Sequence, residues 1–375
     1  MNVRIGKRTQ RFRTVTFDAA TNRVALIEQR LLPHRFEIVE TRHYSETSQA
    51  ITDMIVRGAG AIGATAAYGL AQGARAFRGR NLTSFSRHLE RVYASLKAAR
   101  PTAVDPVNAM DHVLHEMLFG ESVEEQQALA LAAAEEFANE NVRQCEAIGR
   151  HGAKLLRNGR RVLTHCNAGW LAFVDIGSAT APLYAAQAEG KQFHVFCDET
   201  RPRCQGATLT AWELAQQGIS HEVIADSAAG FLMSRGEIDL VIVGSDRTLG
   251  RTGEVANKIG TYTKAVLADR HGIPFYVAIP LSTIDWNLKS GRDIPIEERD
   301  GSEVLGAWGV LANPKPEIRN LKSGRRAYVR IANPSSGARN PGFDVTPPEL
   351  ITGIITPKGI FRPQDLQKNR ARLRE

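Results

Sequence analysis

From residue 160 onward the chain alternates short apolar runs with amphipathic stretches. Val162–His165, Phe193–Asp198, Glu222–Ala225, Leu240–Gly244 and Phe275–Ile279 read as strands. Between them, apolar positions at helical spacing lie near Ala179–Glu189, Ala207–Gln217, Ala228–Arg235 and Asn257–His271. Strands that are apolar at nearly every position suit a sheet covered on both faces. Their alternation with helices predicts an α/β, Rossmann-like, doubly wound parallel sheet. Right-handed crossovers would then bring the strand carboxyl ends to one edge.

The first part of the chain has a different rhythm. Thr14–Phe17, Val24–Ile27 and Phe36–Val39 alternate apolar and polar residues, the signature of a small antiparallel meander. Ser45 opens a helix on which Ile51, Met54 and Ile55 recur at helical spacing. The run Arg57-Gly-Ala-Gly-Ala-Ile-Gly63 follows and continues into alanine-rich sequence. A glycine-rich turn at a helix start offers free N–H groups to an anion. Small residues also allow tight helix packing, and the spacing alone leaves both readings open. A helix over Leu82–Ala99 should stop at Pro101, leaving Arg100 on a turn. Ser122-Val-Glu-Glu125 is a capping box that opens a long helix reaching about Leu156. Its Glu124, Glu135, Glu136 and Glu140 read as a solvated face. The expected organisation is an N-terminal α+β domain over 1–150 and a Rossmann-like domain over 151–375, with Pro314 to Arg339 as loop.

Composition changes this picture little. Hydrophobic residues at 43% and charged residues at 23% are ordinary for a globular chain. No apolar run approaches the roughly 20 residues that span a bilayer. The basic N-terminus has no apolar segment behind it, so the expectation is a cytoplasmic protein without a membrane partner. The formal charge of +8 is concentrated at the ends, in Arg4, Lys7, Arg8, Arg11 and Arg13 and in Lys368, Arg370, Arg372 and Arg374. These read as solvated, frayed termini. With no recognition helix or aromatic stacking motif, no nucleic-acid partner is expected. The four cysteines, Cys145, Cys166, Cys197 and Cys204, include no C-x-x-C pair, so no metal site is predicted. Cys145 lies in the long helix and reads as packing.

The candidate chemistry sits on the predicted sheet edge. The first strand ends in Thr164, His165, Cys166 and Asn167, and the second in Asp198-Glu-Thr-Arg-Pro-Arg-Cys-Gln205. The fourth ends in Ser245-Asp246-Arg247, after which Asn257 and Lys258 stand at an expected helix start. A strand-end cysteine is usually a small buried hydrophobe. Convergence of a thiol, a carboxylate and several cationic and amide donors shifts the reading towards a site for a phosphorylated polyol. No G-x-G-x-x-G follows the first strand, which weakens a dinucleotide enzyme.

Taken in order, Arg57–Gly63, Arg100–Val104, Thr164–Gly169, Asp198–Pro202 with Gln205–Ala207, Gly244–Arg247, Asn257–Thr261, Asn340–Pro347 and Ile354–Thr356 resemble the methylthioribose-1-phosphate isomerase family over about residues 14 to 362. That superfamily also holds ribose-1,5-bisphosphate isomerases and the regulatory subunits of initiation factor 2B, which lack the catalytic pair. The resemblance implies an aldose–ketose isomerase of methionine salvage, acting on a small sugar phosphate as a homodimer without a cofactor. It implies Cys166 and Asp246 as catalytic residues, and Arg57, Gly58, Ala59, Arg100, Gln205, Asn257 and Lys258 as substrate contacts. Proton transfer and direct hydride shift both remain open. Other expectations are a 5-deoxyribose-1-phosphate or ribose-1,5-bisphosphate isomerase, or a non-catalytic sensor. Gly60 and Ser245 depart from the family's usual proline and alanine; Gly60 should loosen the phosphate loop.

Overall fold

The computed structural model describes residues 1–100, 104–311 and 326–374. Its centre is a seven-stranded sheet in the order Gly359–Phe361, Gly353–Thr356, Phe275–Ala278, Leu240–Val243, Arg160–Thr164, Phe193–Asp198, His221–Ile224. The pairs are parallel except for the first. Val162, Leu163, Val195, Leu240, Val241, Ile242 and Val277 are buried, as a sheet covered on both faces requires. From Arg160–Thr164 the chain winds outward to Phe193–Asp198 and His221–Ile224. It then returns to the other side of Arg160–Thr164 as Leu240–Val243. That reversal is a topological switch point, and the crevice outside the strand ends there is where such sheets bind ligands.

The meander is present as Val15–Asp18, Arg23–Ile27 and Ile38–Thr41, antiparallel throughout. It packs with the helices Tyr44–Thr52, Ala59–Ala76, Leu82–Ala99 and Asp105–Met117 around one core that includes Leu26, Ile51, Tyr68, Phe85 and Met110. The helix Val123–Gly152 joins the two parts of the chain. Ala130 to Val142 face the first core, whereas Ile148 and the following Leu156 face the sheet. Its start is capped by the Ser122 hydroxyl, which accepts from the Glu125 N–H at 3.2 Å. The Glu125 carboxylate reaches back to the Glu121 N–H at 2.7 Å, one residue beyond the usual partner. Glu135 is not purely a solvated residue, because Tyr68 donates to it at 3.0 Å.

Three expectations change. The termini are ordered: Asn2–Ile5 and Arg8–Arg11 form a hairpin. The N-terminal ammonium and Arg11 both bind the buried Asp175, at 2.6 and 2.9 Å. Leu366 and Leu373 are buried, and Arg370 and Arg374 lie over Trp286. Asn257 and Lys258 end a strand, Val255–Lys258, and the helix begins only at Thr261. Val255 and Ala256 are buried, which a helix-first reading of the polar Asn-Lys pair overlooked. Arg326–Arg330 pairs with Gly306–Val310, so the stretch from Pro314 is not all loop; residues 312–325 lie outside the described residues. The expected helix stop at Pro101 also lies outside them. Among the described residues, no helix is long and apolar enough to cross a membrane.

Candidate active site

A cavity of about 330 Å³ opens at the switch point, within the size range of small-molecule sites. The expected residues Arg57, Gly58, Ala59, Arg100, Cys166, Gln205, Asp246, Asn257 and Lys258 all line it. Asp246 follows the Leu240–Val243 strand and leads into a second, four-stranded sheet that includes Arg247–Leu249 and Val255–Lys258. The Asp246 N–H donates to the Ala256 carbonyl at 3.0 Å. One short hairpin therefore carries Asp246, Asn257 and Lys258 over the ends of the main sheet.

Cys166 sits at the left-handed φ of +67°, as does the nearby Thr200 at +64°. Such backbone costs about 1–3 kcal/mol per residue and persists only where surroundings hold it. They do here. The Cys166 N–H donates to Thr200 Oγ1 at 2.8 Å, and Thr210 Oγ1 donates to the Cys166 carbonyl at 2.7 Å. Asp226 takes the N–H groups of Thr200 and Arg201, both at 2.7 Å.

The glycine-rich stretch combines a helix start at the cavity with close helix packing. Gly58, at φ +89°, precedes the helix Ala59–Ala76, and a Cβ there would stand 2.4 Å from the Ala172 backbone. That close approach exposes the helix N-terminus to the cavity. Further along, Gly73 admits Val92 of the neighbouring helix, whose Cγ1 would be 2.6 Å from an added Cβ. Arg57 reaches across to Asn167, donating to its Oδ1 at 2.6 Å and its carbonyl at 2.8 Å. These are neutral acceptors, so the guanidinium charge stays available to an anion. Arg100 faces Glu297 at 3.6 Å. Lys258 donates to the Gly342 carbonyl at 2.9 Å and lies 4.3 Å from the centre of the Phe343 ring. Asn257 donates to Thr261 Oγ1 at 3.1 Å. Gln205 precedes a π-helical turn, Gly206–Thr210, a feature frequent at functional sites.

Asp246 is exposed to the cavity it lines. Burial pushes its carboxyl above the ordinary range, opposed by Lys258, Arg57 and Arg100. Burial likewise raises the Cys166 thiol, against the pull of Arg57 and Lys258. Lys258 is pushed down by burial, with Cys166 and Asp246 opposing. The resting site thus favours a thiol over a thiolate.

The family model described as the initiation factor 2 subunit family matches residues 55–363. The chain belongs to that family. It is 48% identical over 356 residues to a methylthioribose-1-phosphate isomerase of Methylobacterium nodulans, with 93% of each chain covered. Among solved structures it resembles 5-methylthioribose 1-phosphate isomerase from Pyrococcus horikoshii, at 40% identity and a TM-score of 0.84, covering 97% of this chain and 96% of that one. It also resembles a structure described as translation initiation factor eIF-2B, subunit delta, from A. fulgidus, at 39% identity and TM-score 0.81, with 97% and 99% covered.

In this family member the two departures have local explanations. A Cβ at Gly60 would stand 2.6 Å from Phe173 Cδ1 and 2.7 Å from Asn141 Nδ2. Gly60 is therefore packed tightly against Phe173 and Asn141. The Ser245 hydroxyl donates to the Ala256 carbonyl at 3.2 Å and accepts from Thr248 at 3.0 Å, so it serves the hairpin.

Sequence reasoning missed the residues behind the site. Glu213, fully buried, accepts from Asn167 Nδ2, the Trp170 and Leu171 N–H groups and the Tyr184 hydroxyl, each at 2.9 Å. It fixes Asn167, which in turn holds Arg57. A carboxylate among Leu209, Ala211 and Leu214 was the available signal. Asp105, Arg203, Glu297 and Arg299 also line the cavity; only Arg203 lay in a run singled out from the sequence.

Proposed function

We propose that this chain is an aldose–ketose isomerase converting 5-methylthioribose 1-phosphate to 5-methylthioribulose 1-phosphate, with Cys166 and Asp246 as its reacting side chains. The observation that carries this reading is the meeting of both groups with a cationic anion-binding set in one switch-point cavity, in a chain 48% identical to a relative of that name. Arg57, the N–H groups after Gly58 at Ala59, Arg100, Gln205, Asn257 and Lys258 hold the phosphate and hydroxyls.

The substrate is locked as a furanose by its 1-phosphate, so the ring must open first. Asp246, whose carboxyl is pushed upward by desolvation, gives its proton to the ring oxygen. Hydrogen then moves from C2 to C1, and the 2-hydroxyl proton returns to the Asp246 carboxylate, which closes the cycle without net proton exchange. A thiol whose burial disfavours ionisation is a poor base, which supports hydride shift over proton abstraction by Cys166. Cys166 then lies beside the developing charge as a polar, un-ionised neighbour. Phe173, Ile284 and Trp286 supply the apolar walls that keep water out.

A regulatory subunit needs no thiol–carboxylate pair in its pocket. A second phosphate needs spare cations, yet Arg203 and Arg299 already share Glu303 at 3.3 and 2.7 Å. The reading includes a cytoplasmic homodimer; the exposed Phe231, Tyr262 and Val266 on adjacent helices support a covered face. Light scattering at a monomer mass would remove the dimer. The activity is tested by supplying methylthioribose 1-phosphate, 5-deoxyribose 1-phosphate and ribose 1,5-bisphosphate to the purified chain and following ketose formation. Preference for the first is expected. No turnover of any would overturn the proposal.

A further inference from the structure

We propose that His165 is a positioning residue that locks the Cys166 side of the site to the Lys258 side through its two ring nitrogens. The ring is 1% exposed. Nδ1 lies 2.8 Å from Asp198 Oδ2, and Nε2 lies 2.9 Å from the Ile259 carbonyl oxygen. His165 directly precedes Cys166, and Ile259 directly follows Lys258. One ring therefore bridges the end of the Phe193–Asp198 strand to the chain leaving the Asn257-Lys258 pair. The bridge has no slack on the far side: Gly260, at φ +102°, would bring a Cβ to 3.0 Å from the imidazole.

The contacts around Asp198 close back on Cys166. Lys264 lies 3.3 Å from the same Asp198 Oδ2 and donates to the Asp226 carbonyl at 2.7 Å. The Asp226 carboxylate pins the Thr200 turn, and Thr200 receives the Cys166 N–H. Ligand atoms of His165, Asp198 and Asp226 lie within 4.8 Å of one another, a spacing that would suit a metal ion. The buried ammonium of Lys264 already supplies positive charge there, so the cluster reads as a framework. Asp198 Oδ1 has no partner among the described residues. The carboxylate depends on its contacts with His165 and Lys264 through Oδ2, and losing the ring would release both the Thr200 turn and the Gly260 turn.

This inference rests on Cys166 being a reacting group, and the test separates the two. The full-length chain is compared with H165A, H165Q, D198N and C166A for kcat, KM, thermal midpoint and alkylation of Cys166 by iodoacetamide, read by peptide mass. Small displacements of a reacting group cost on the order of 100-fold, and H165A should lose about that in kcat. KM should stay within about 3-fold, because Lys258 keeps its own anchors on the Gly342 carbonyl and the Phe343 ring. Cys166 alkylation should accelerate, and added imidazole should restore part of the kcat. Should H165A fail to fold, H165Q, which can still reach Ile259, should show the same split more weakly. Unchanged alkylation and kcat per folded enzyme in either soluble variant would overturn the inference. Activity retained by C166A would instead overturn the proposed function, while faster thiol labelling in the His165 variants would still be expected.

Discussion

Asp105 offers a quantitative test of how this cavity treats charge. It begins the helix Asp105–Met117, is 6% exposed and lines the same cavity as Asp246. Its Oδ2 has no hydrogen-bond partner among the described residues. Burial pushes its carboxyl up to about 6 from an ordinary 3.8; a Ser282 hydrogen bond opposes this and the Asp246 charge adds to it. The folded state therefore binds this proton more tightly than the unfolded chain does. Stability from this group is complete below the unfolded pKa and is lost as pH rises towards the folded value. A shift of about two units corresponds to roughly 3 kcal/mol once both states are ionised. Asn keeps the shape and removes the charge. D105N should thus be more stable than the parent by up to about 3 kcal/mol at pH 8, and by about half as much at pH 5. Urea unfolding of both proteins at the two pH values reads the difference directly. A gain equal at both pH values, or a loss at pH 8, would refute the reasoning.

Lys258 holds the Asp246 pKa down, and Asp246 is the proposed acid. K258Q should therefore move the alkaline limb of the kcat profile to higher pH while raising KM; a limb that stays or moves down would contradict the assignment. G58A forces a Cβ onto a backbone at φ +89° and against Ala172. It should cost at least about 1 kcal/mol of stability and raise KM more than it lowers kcat, measured by steady-state kinetics beside a thermal melt. E213A strands four donors around Asn167 and the Trp170 turn, and should lose about 3–5 kcal/mol. Y184F removes only one of them and should lose about 1 kcal/mol. Equal losses in urea melts would mean that Glu213 does not organise that loop.

The fold was legible where one physical signal dominated. Buried parallel strands such as Leu240–Val243 are apolar throughout, and Ser122 with Glu125 marks a helix start whatever surrounds it. Asn257-Lys258 misled because both residues are polar and precede a helix, while the strand character sits in the two buried residues before them. The Arg326–Arg330 strand was hidden because its partner lies beyond the intervening residues 312–325. Cys166, Gln205 and Asp246 stood near strand ends expected to meet on one edge, whereas Arg57, Gly58, Ala59 and Arg100 were supplied by the family resemblance. Glu213 was marked in the sequence only by its apolar neighbours, and Asp198 stood in a polar run; the donors that define each role come from tertiary structure. The basic termini looked like solvated charge because their anchors, Asp175 and Trp286, are distant in sequence.

The central claim is that Asp246 opens the ring and hydrogen then passes from C2 to C1 beside an un-ionised Cys166. Methylthioribose 1-phosphate carrying deuterium at C2, turned over in ordinary water and followed by NMR, tests it most directly. The account predicts ketose 1-phosphate with the deuterium on C1, and loss of turnover by about 100-fold or more in D246N. A product with solvent hydrogen at C1 would contradict the hydride step, and full activity of D246N would contradict the site itself.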